Sequence, residues 1–197
     1  MGEDGRQERG FATPSAGTWK IDPAHATAGF VARHLMVTKV RGRFTEVDGD
    51  VRIGETPEDS SIEVRMAAAS IESGNPDRDT HLRSPDFLDV ERFPELTFRS
   101  TKIEVTGDST LKLHGDLTVL DVTRPVVLDV EYEGLTQQPP FGSRAGFSAT
   151  TEIDREDWGL TWNVALESGG VVVSKKVKIE IDVELTEVAA GAQAGAA

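Results

Sequence analysis

The chain has 197 residues, of which 38% are hydrophobic, and it contains no cysteine. This length suits a single domain, and the lack of cysteine excludes disulfides, thiolate metal ligands and a cysteine nucleophile. The net charge of −13 disfavours nucleic acid and anionic lipid surfaces as partners, because binding phosphate groups requires clustered cations.

The two ends of the chain differ in composition from its middle. Residues 1–17 are polar and mixed, and residues 189–197 are low in complexity, so we predict disordered tails there and one folded domain over residues 18–188. The first segment lacks the apolar core of a signal peptide, and no later run approaches the length of a membrane span. We therefore expect a cytoplasmic protein without stable membrane insertion.

Between these tails the hydrophobic pattern has a period of two, which is typical of half-buried β-strands. The clearest run is 177–185, where Val, Ile and Leu alternate with charged residues. Besides a short strand around Trp19, the pattern predicts strands over residues 26–37, 42–53, 61–66, 95–105, 111–119, 126–132 and 144–153. Helices alternate with strands nowhere, so the sequence predicts an all-β sandwich or barrel.

One segment carries helical signals instead. Asn75 and Pro76 form an N-cap and first-turn pair, and Ser84-Pro85-Asp86 repeats that pattern. We predict a helix that ends near Arg83 and a second turn directly after it, within a helical insertion over about residues 76–90. Its apolar anchors are Leu82, Phe87, Leu88 and Phe93.

Four stretches of the sequence together carry a family signature. They are Trp19-Lys20-Ile21-Asp22-Pro23-Ala24-His25 with Phe30, Val31, His34 and Leu35 after it; Gly42-Arg43-Phe44; RDTHLRSPDFLDVERFPELTF from Arg78 to Phe98, followed by Ser100; and Ile153-Asp154-Arg155 with Trp158-Gly159-Leu160 and Trp162-Asn163. The sequence thereby resembles the YceI-like family over residues 18–187. One departure is Ala26, where many relatives have serine.

The resemblance implies a lipocalin-like antiparallel β-barrel of about eight strands, which holds an isoprenoid or another long amphiphile in its lumen and catalyses no reaction. Strand length agrees, because runs of ten or more residues at about 3.3 Å per residue, tilted as a barrel requires, give a lumen roughly 25–30 Å deep. The expected partner is a small molecule such as a polyprenyl phosphate, a quinone or a fatty-acid derivative. We expect no cofactor and no metal, and a homodimer stays open.

The predicted ligand-binding residues are those expected to face the lumen or to cap it. They are Phe30, Ala32, His34, Ile62, Val64, Met66, Leu82, Phe87, Leu88, Phe98, Leu113, Phe147 and Trp162. Small side chains favour a tunnel over a filled core, since they leave space between larger ones. The inward alanines are Ala28, Ala32, Ala68, Ala145 and Ala149.

The histidines leave two alternatives open. His34 shares strand parity with Phe30, so it either faces the lumen and binds the polar end of a ligand or is a structural histidine bonded to backbone. His81 either acts on the ligand or braces the helical segment. A hydrolase or isomerase that uses His34 or His81 is thus one alternative function, although the sequence has no GxSxG nucleophile elbow. A solid-core interaction domain without a ligand is the other.

A metal site and a basic rim are two further candidates. The spacing of His25, His34, His81 and His114 matches no zinc motif. The basic stretch consists of Arg33, Lys39, Arg41 and Arg43. It either holds an anionic head group or forms a solvated hairpin face.

Overall fold

The computed structural model describes residues 13–165 and 171–188. The predicted tails lie mostly outside these residues. At the N-terminal boundary, the Ser15 hydroxyl donates to the Glu187 carboxylate at 2.5 Å, and the first strand begins at Gly17. Within the described residues, no helix is long and apolar enough to cross a membrane.

The described chain forms ten strands and one α-helix. The elements are β1 (Gly17–His34), β2 (Thr38–Phe44), β3 (Val47–Ile53), β4 (Ser61–Ala67), β5 (Ile71–Glu72), α1 (Pro76–Arg83), β6 (Glu95–Val105), β7 (Thr110–Val119), β8 (Val122–Gln138), β9 (Gly142–Asp154) and β10 (Lys176–Glu187). Short 3-10 turns lie at Pro57–Asp59, Ala68–Ser70 and Arg155–Trp158.

Eight of the ten strands close a barrel in the order β1-β10-β9-β8-β7-β6-β4-β3 and back to β1. Every pairing in this circuit is antiparallel. The remaining strands extend the sheet outside the circuit, because β2 pairs with the second half of β1 and β5 pairs with β2. The predicted antiparallel barrel of about eight strands is confirmed.

The first strand is longer than predicted. The short strand around Trp19 and the strand predicted from Ala26 form one element, β1, with a register shift against β10 between Ile21 and Ala26. Pro23 lies inside that shift, where the chain forms no regular hydrogen bonds with β10, so the missing N–H of proline removes none of them. β1 then continues only to His34.

The strand predicted over residues 42–53 is instead two strands. β2 pairs with the second half of β1 and ends at Phe44, and β3 begins at Val47 and pairs with the first residues of β1 on the same edge. The break is fixed at Thr45, whose N–H and hydroxyl both donate to the Ser70 carbonyl. The alternating pattern continues through the break, so it does not reveal the change of partner.

The helix has the predicted start and end. The Asn75 side chain accepts a hydrogen bond from the Arg78 N–H at 3.0 Å, and α1 ends at Arg83. The residues from Ser84 to Val90 form turns and bends, so the α-helix covers only the first part of the insertion that we expected over residues 76–90. The Arg83 guanidinium donates to the Ile71 carbonyl at 2.6 Å, so it ties the end of the helix to β5.

The interior of the barrel has two differently built ends. At the end near α1, hereafter the helical end, the buried apolar residues are Ala68, Ile71, Leu88, Leu96, Val119 and Trp158. At the opposite end, hereafter the mouth, they are Trp19, Ile21, Val51, Tyr132, Ala145 and Leu185. The space between these two clusters is the candidate site.

Candidate functional site: the barrel lumen

The barrel encloses a cavity of about 770 Å³, to which all eight strands of the circuit contribute lining residues. This volume lies within the range of about 300–1,000 Å³ that is typical of small-molecule sites. The period-two pattern accounts for the lining, because successive residues of a strand point to opposite faces of the sheet. The strands therefore turn their apolar sides to the lumen and their charged sides to water.

The middle of the cavity is apolar on every side. Its wall includes Val64, Phe98, Leu113, Leu128, Phe147 and Ile181. Tyr132 also lines it, and burial raises the pKa of the Tyr132 phenol to about 12, so this group is neutral near pH 7. Such a wall gives water few hydrogen-bond partners, and an apolar chain in the lumen would be removed from water over its whole length.

The cavity opens at the mouth and is closed at the helical end. The lining residues between β3 and β4 and between β6 and β7 are exposed, among them Glu55, Glu58 and Asp108. At the helical end the lining residues Ile71 and Phe87 are buried. The opening of the cavity therefore lies between these two strand connections at the mouth.

A family model described as a YceI-like domain matches residues 19–185. The chain belongs to the YceI-like family. A UPF0312 protein of Staphylococcus aureus (strain MSSA476) is 36% identical to it over 169 residues, which cover 84% of this chain and 95% of the relative. The resemblance found in the sequence motifs is thus confirmed.

Two solved structures are similar to this YceI-like chain in fold. The Campylobacter jejuni YCEI protein superposes with a TM-score of 0.67 and 27% identity, over 77% of this chain and 87% of that one. A polyisoprenoid binding domain from Saccharophagus degradans also gives a TM-score of 0.67, with 13% identity, over 88% of this chain and 100% of that domain. At 13% identity the second similarity concerns the fold alone.

Eleven of the thirteen predicted site residues lie in the wall of the YceI-like cavity. They are Phe30, Ala32, Ile62, Val64, Met66, Leu82, Phe87, Leu88, Phe98, Leu113 and Phe147. Of the alanines expected to leave space, Ala28, Ala32 and Ala149 line the cavity, whereas Ala68 and Ala145 are fully buried in the two end clusters. His34 and Trp162 are not part of the lining.

His34 does not face the lumen, contrary to the expectation from its strand parity. It is exposed at the last position of β1, where it pairs with Thr38 of β2. The pairing of β1 with β10 already ends at Val31, and His34 instead forms an isolated bridge with Val173. Parity predicts an inward side chain only while the strand still forms part of the wall.

Trp162 lies in a second layer behind the closed end. Its ring meets the His81 ring edge-on at a centroid distance of 4.6 Å, and the Phe87 ring lies 5.3 Å away. The His81 ring Nε2 donates to the Asp86 carboxylate at 2.8 Å. Phe87 lines the cavity and Trp162 and His81 lie behind it, so these three residues form a cap two layers deep.

Arg155 is a lining residue that the sequence reasoning placed only within a motif. It follows β9 at the helical end, is 4% exposed, and is the one Lys, Arg or His in the described lining of the cavity. Its Nε donates to the Ser174 carbonyl at 3.1 Å, and its Nη1 donates to the Leu160 carbonyl. Burial lowers the pKa of this guanidinium. In the sequence, the feature that could have pointed to this residue is an arginine directly after a long strand of alternating pattern.

The basic hairpin lies outside the cavity lining. Arg33, Lys39 and Arg41 are exposed on β1 and β2, and Arg43 forms an ion pair with Glu72 at 2.6 Å. In the described chain none of these four cations lines the lumen. This placement agrees with the solvated hairpin face, and the head-group role has no support from the geometry.

A polar cluster lies near the mouth, on the outside of the barrel. Asp22, His25 and Glu184 place three potential metal-ligand atoms within 4.8 Å of one another. Arg144 already donates to both carboxylates and holds the pKa of Asp22 down at about 2, with a further contribution from His25. The arrangement is therefore accounted for as an ion-pair network.

Proposed function

We propose that this YceI-like protein binds one long amphiphile in its lumen and transports, stores or sequesters it without converting it. The observation that carries the proposal is the cavity of about 770 Å³, which has an apolar wall along its middle, is closed at the helical end and opens at the mouth. A cavity of this size also argues against the alternative of a solid-core interaction domain.

The energetics of burial support this function. At about 0.8 kcal/mol for each methylene removed from water, a dozen ligand carbons contribute roughly 10 kcal/mol before ordering costs are subtracted. That contribution gives useful affinity without a specific polar contact. Selectivity among chains then follows from the length and width of the lumen.

Membership of the family and the fold shared with a polyisoprenoid binding domain favour an isoprenoid ligand, such as a polyprenyl phosphate or a quinone. Fatty acids and their amides have chains that suit the same apolar wall. The cytoplasmic location and a homodimer stay predictions.

The enzymatic alternative receives no support from the positions of the two histidines. His34 is exposed at the end of β1, and the His81 ring is held by Asp86 and Trp162 in the outer layer of the cap. Neither ring belongs to the described wall of the cavity. A buried lipid would therefore meet neither of the proposed catalytic groups.

Native mass spectrometry of the freshly purified protein, followed by organic extraction, tests the proposal. The expected result is one discrete amphiphile per chain, released and identified on extraction. A mass equal to the protein alone, which persists after incubation with polyprenyl phosphates, quinones, fatty acids and fatty amides, would refute it. Turnover of any of these lipids would restore the enzymatic alternative.

A further inference from the structure

A buried arginine normally has an anionic partner, because an unpaired charge in an apolar environment is strongly destabilising. Arg155 is only 4% exposed, yet no carboxylate of the described chain forms an ion pair with it. Its Nη2 is buried and has no hydrogen-bond partner. One face of this guanidinium thus lacks an acceptor.

The nearest carboxylates in sequence are directed elsewhere. Asp154 accepts from the Glu156 N–H at 3.1 Å and lies 3.9 Å from the Lys176 ammonium. Glu156 pairs with Lys175 at 2.7 Å. Both acidic neighbours of Arg155 therefore form their ion pairs with exposed lysines, and they act on the buried guanidinium only through space.

The remaining bonds of Arg155 fix its orientation. The Ser174 carbonyl holds Nε and the Leu160 carbonyl holds Nη1, and Leu160 is itself a lining residue. Two neutral carbonyls position the planar group without neutralising it. Arg155 lines the cavity with its Nη2 just beneath the wall surface, so a small turn of the guanidinium would bring this nitrogen to an oxygen anion in the lumen, which would supply the missing acceptor.

The mouth has the opposite electrostatic character. Glu55, Glu58 and Asp108 line it, and no cation among the described residues lines the cavity there. An anionic group held at the mouth would lie among like charges, whereas the same group at the helical end would meet a buried cation.

From this polarity we infer that the ligand binds with its head inward, so that an anionic oxygen head group, a carboxylate or a phosphate, contacts Arg155 at the helical end and the hydrocarbon chain runs toward the mouth. This inference rests on the proposed function, since it specifies which lipids the lumen takes and in which direction. Under this inference Arg155 is a ligand-binding residue. With a purely structural role, it would only stabilise the turn at Arg155–Trp158.

A head-group series with one constant chain tests the inference. Palmitate, hexadecyl phosphate, palmitamide, hexadecanol and hexadecylamine are compared by displacement of a fluorescent fatty acid from the wild type, Arg155→Lys and Arg155→Met. A charged hydrogen bond contributes about 1.5–3 kcal/mol, so the wild type should prefer the better anion to hexadecanol by roughly ten- to hundredfold. The order of palmitate and hexadecyl phosphate distinguishes the two anionic head groups.

The preference should disappear in Arg155→Met, while its affinity for hexadecanol changes by less than about threefold. Arg155→Lys should keep part of the preference, because it keeps the charge and loses the fork of donors. Equal binding of all head groups by the wild type, or an unchanged preference in Arg155→Met, would overturn the inference. Failure of every probe to bind would instead refute the proposed function.

A second measurement needs no variant and so does not depend on Arg155→Met being folded. Stearate that carries a nitroxide near its carboxylate should broaden the amide resonances of Trp158 and Leu160. Stearate labelled near its methyl end should broaden those of Thr56 and Asp108. The reverse pattern would show that the head group lies at the mouth, and the inference would be wrong.

Discussion

The helical end and the mouth are formed by the same eight strands, yet they differ in what connects those strands. At the helical end, α1 and the turn that contains Trp158 cover the end of the barrel and place aromatic rings behind its wall. At the mouth the connections are short, exposed and acidic. The strands thus form the wall of the barrel, while the connections between them determine which end is open and which end is closed.

A charge placed midway between the two ends should have the largest effect. Val64→Glu puts a carboxylate into the apolar wall, and we expect ligand affinity to fall roughly hundredfold or more, since burying this group costs about 3 kcal/mol or more. Arg65→Glu changes the next residue of β4, which is exposed, and should bind as the wild type does. Equal losses in two folded variants, measured by titration calorimetry, would contradict the assignment of the wall.

Loosening the helical end should have the next largest effect. Trp162→Ala removes the ring contacts with His81 and Phe87, and we expect a loss of about 2 kcal/mol in the free energy of unfolding together with faster ligand release. The control is Phe141→Ala, because Phe141 is 67% exposed beyond the mouth. Urea unfolding and stopped-flow dissociation measure the two effects. Similar losses in both variants would show that the ring contacts of Trp162 do not specifically stabilise the closed end.

The outside of the barrel near the mouth should respond to acid. The folded pKa of Asp22 is about 2, below its ordinary value of 3.8, so its stabilisation is present above about pH 4 and is lost as the pH falls through about 2. Arg144→Gln should lower the free energy of unfolding near pH 7 slightly, because solvent screens this pair, and should flatten the acid limb.

Urea unfolding at several pH values measures that effect. Arg52→Gln, a change of an exposed arginine on β3, should leave the acid limb unchanged. If Arg144→Gln keeps the slope of the wild type between about pH 4 and pH 2, then Arg144 does not set the pKa of Asp22.

Reversing charge at the mouth should have the smallest effect and a kinetic one. Glu58→Lys should raise the association rate of fatty-acid anions a few-fold at low salt, because it weakens the acidic field that they cross. The rate for hexadecanol should not change. Stopped-flow association at two salt concentrations provides the comparison, and equal acceleration of both ligands would point to a steric cause.

Alternation in the sequence predicted the wall well, because a closed barrel turns every second residue of each strand inward. Val64, Phe98 and Leu113 follow that rule. His34 does not, since its strand has already left the wall, and the break at Thr45 is invisible because the alternation continues across it. The orphaned nitrogen of Arg155 has no signature in sequence either, as it depends on where Asp154 and Glu156 point.

The pairing of β1 with β10, which closes the barrel, has a consequence for biosynthesis. Closure requires Trp19 of β1 to pair with Glu187 of β10, so β10, the last strand of the described chain, completes the wall. Until then a nascent chain is an open sheet with two unpaired edges and no enclosed cavity, and such distant pairing forms slowly. The enclosed cavity therefore forms only after β10 has been synthesised, and a chain cut short before β10 would expose its apolar face to chaperones or to aggregation.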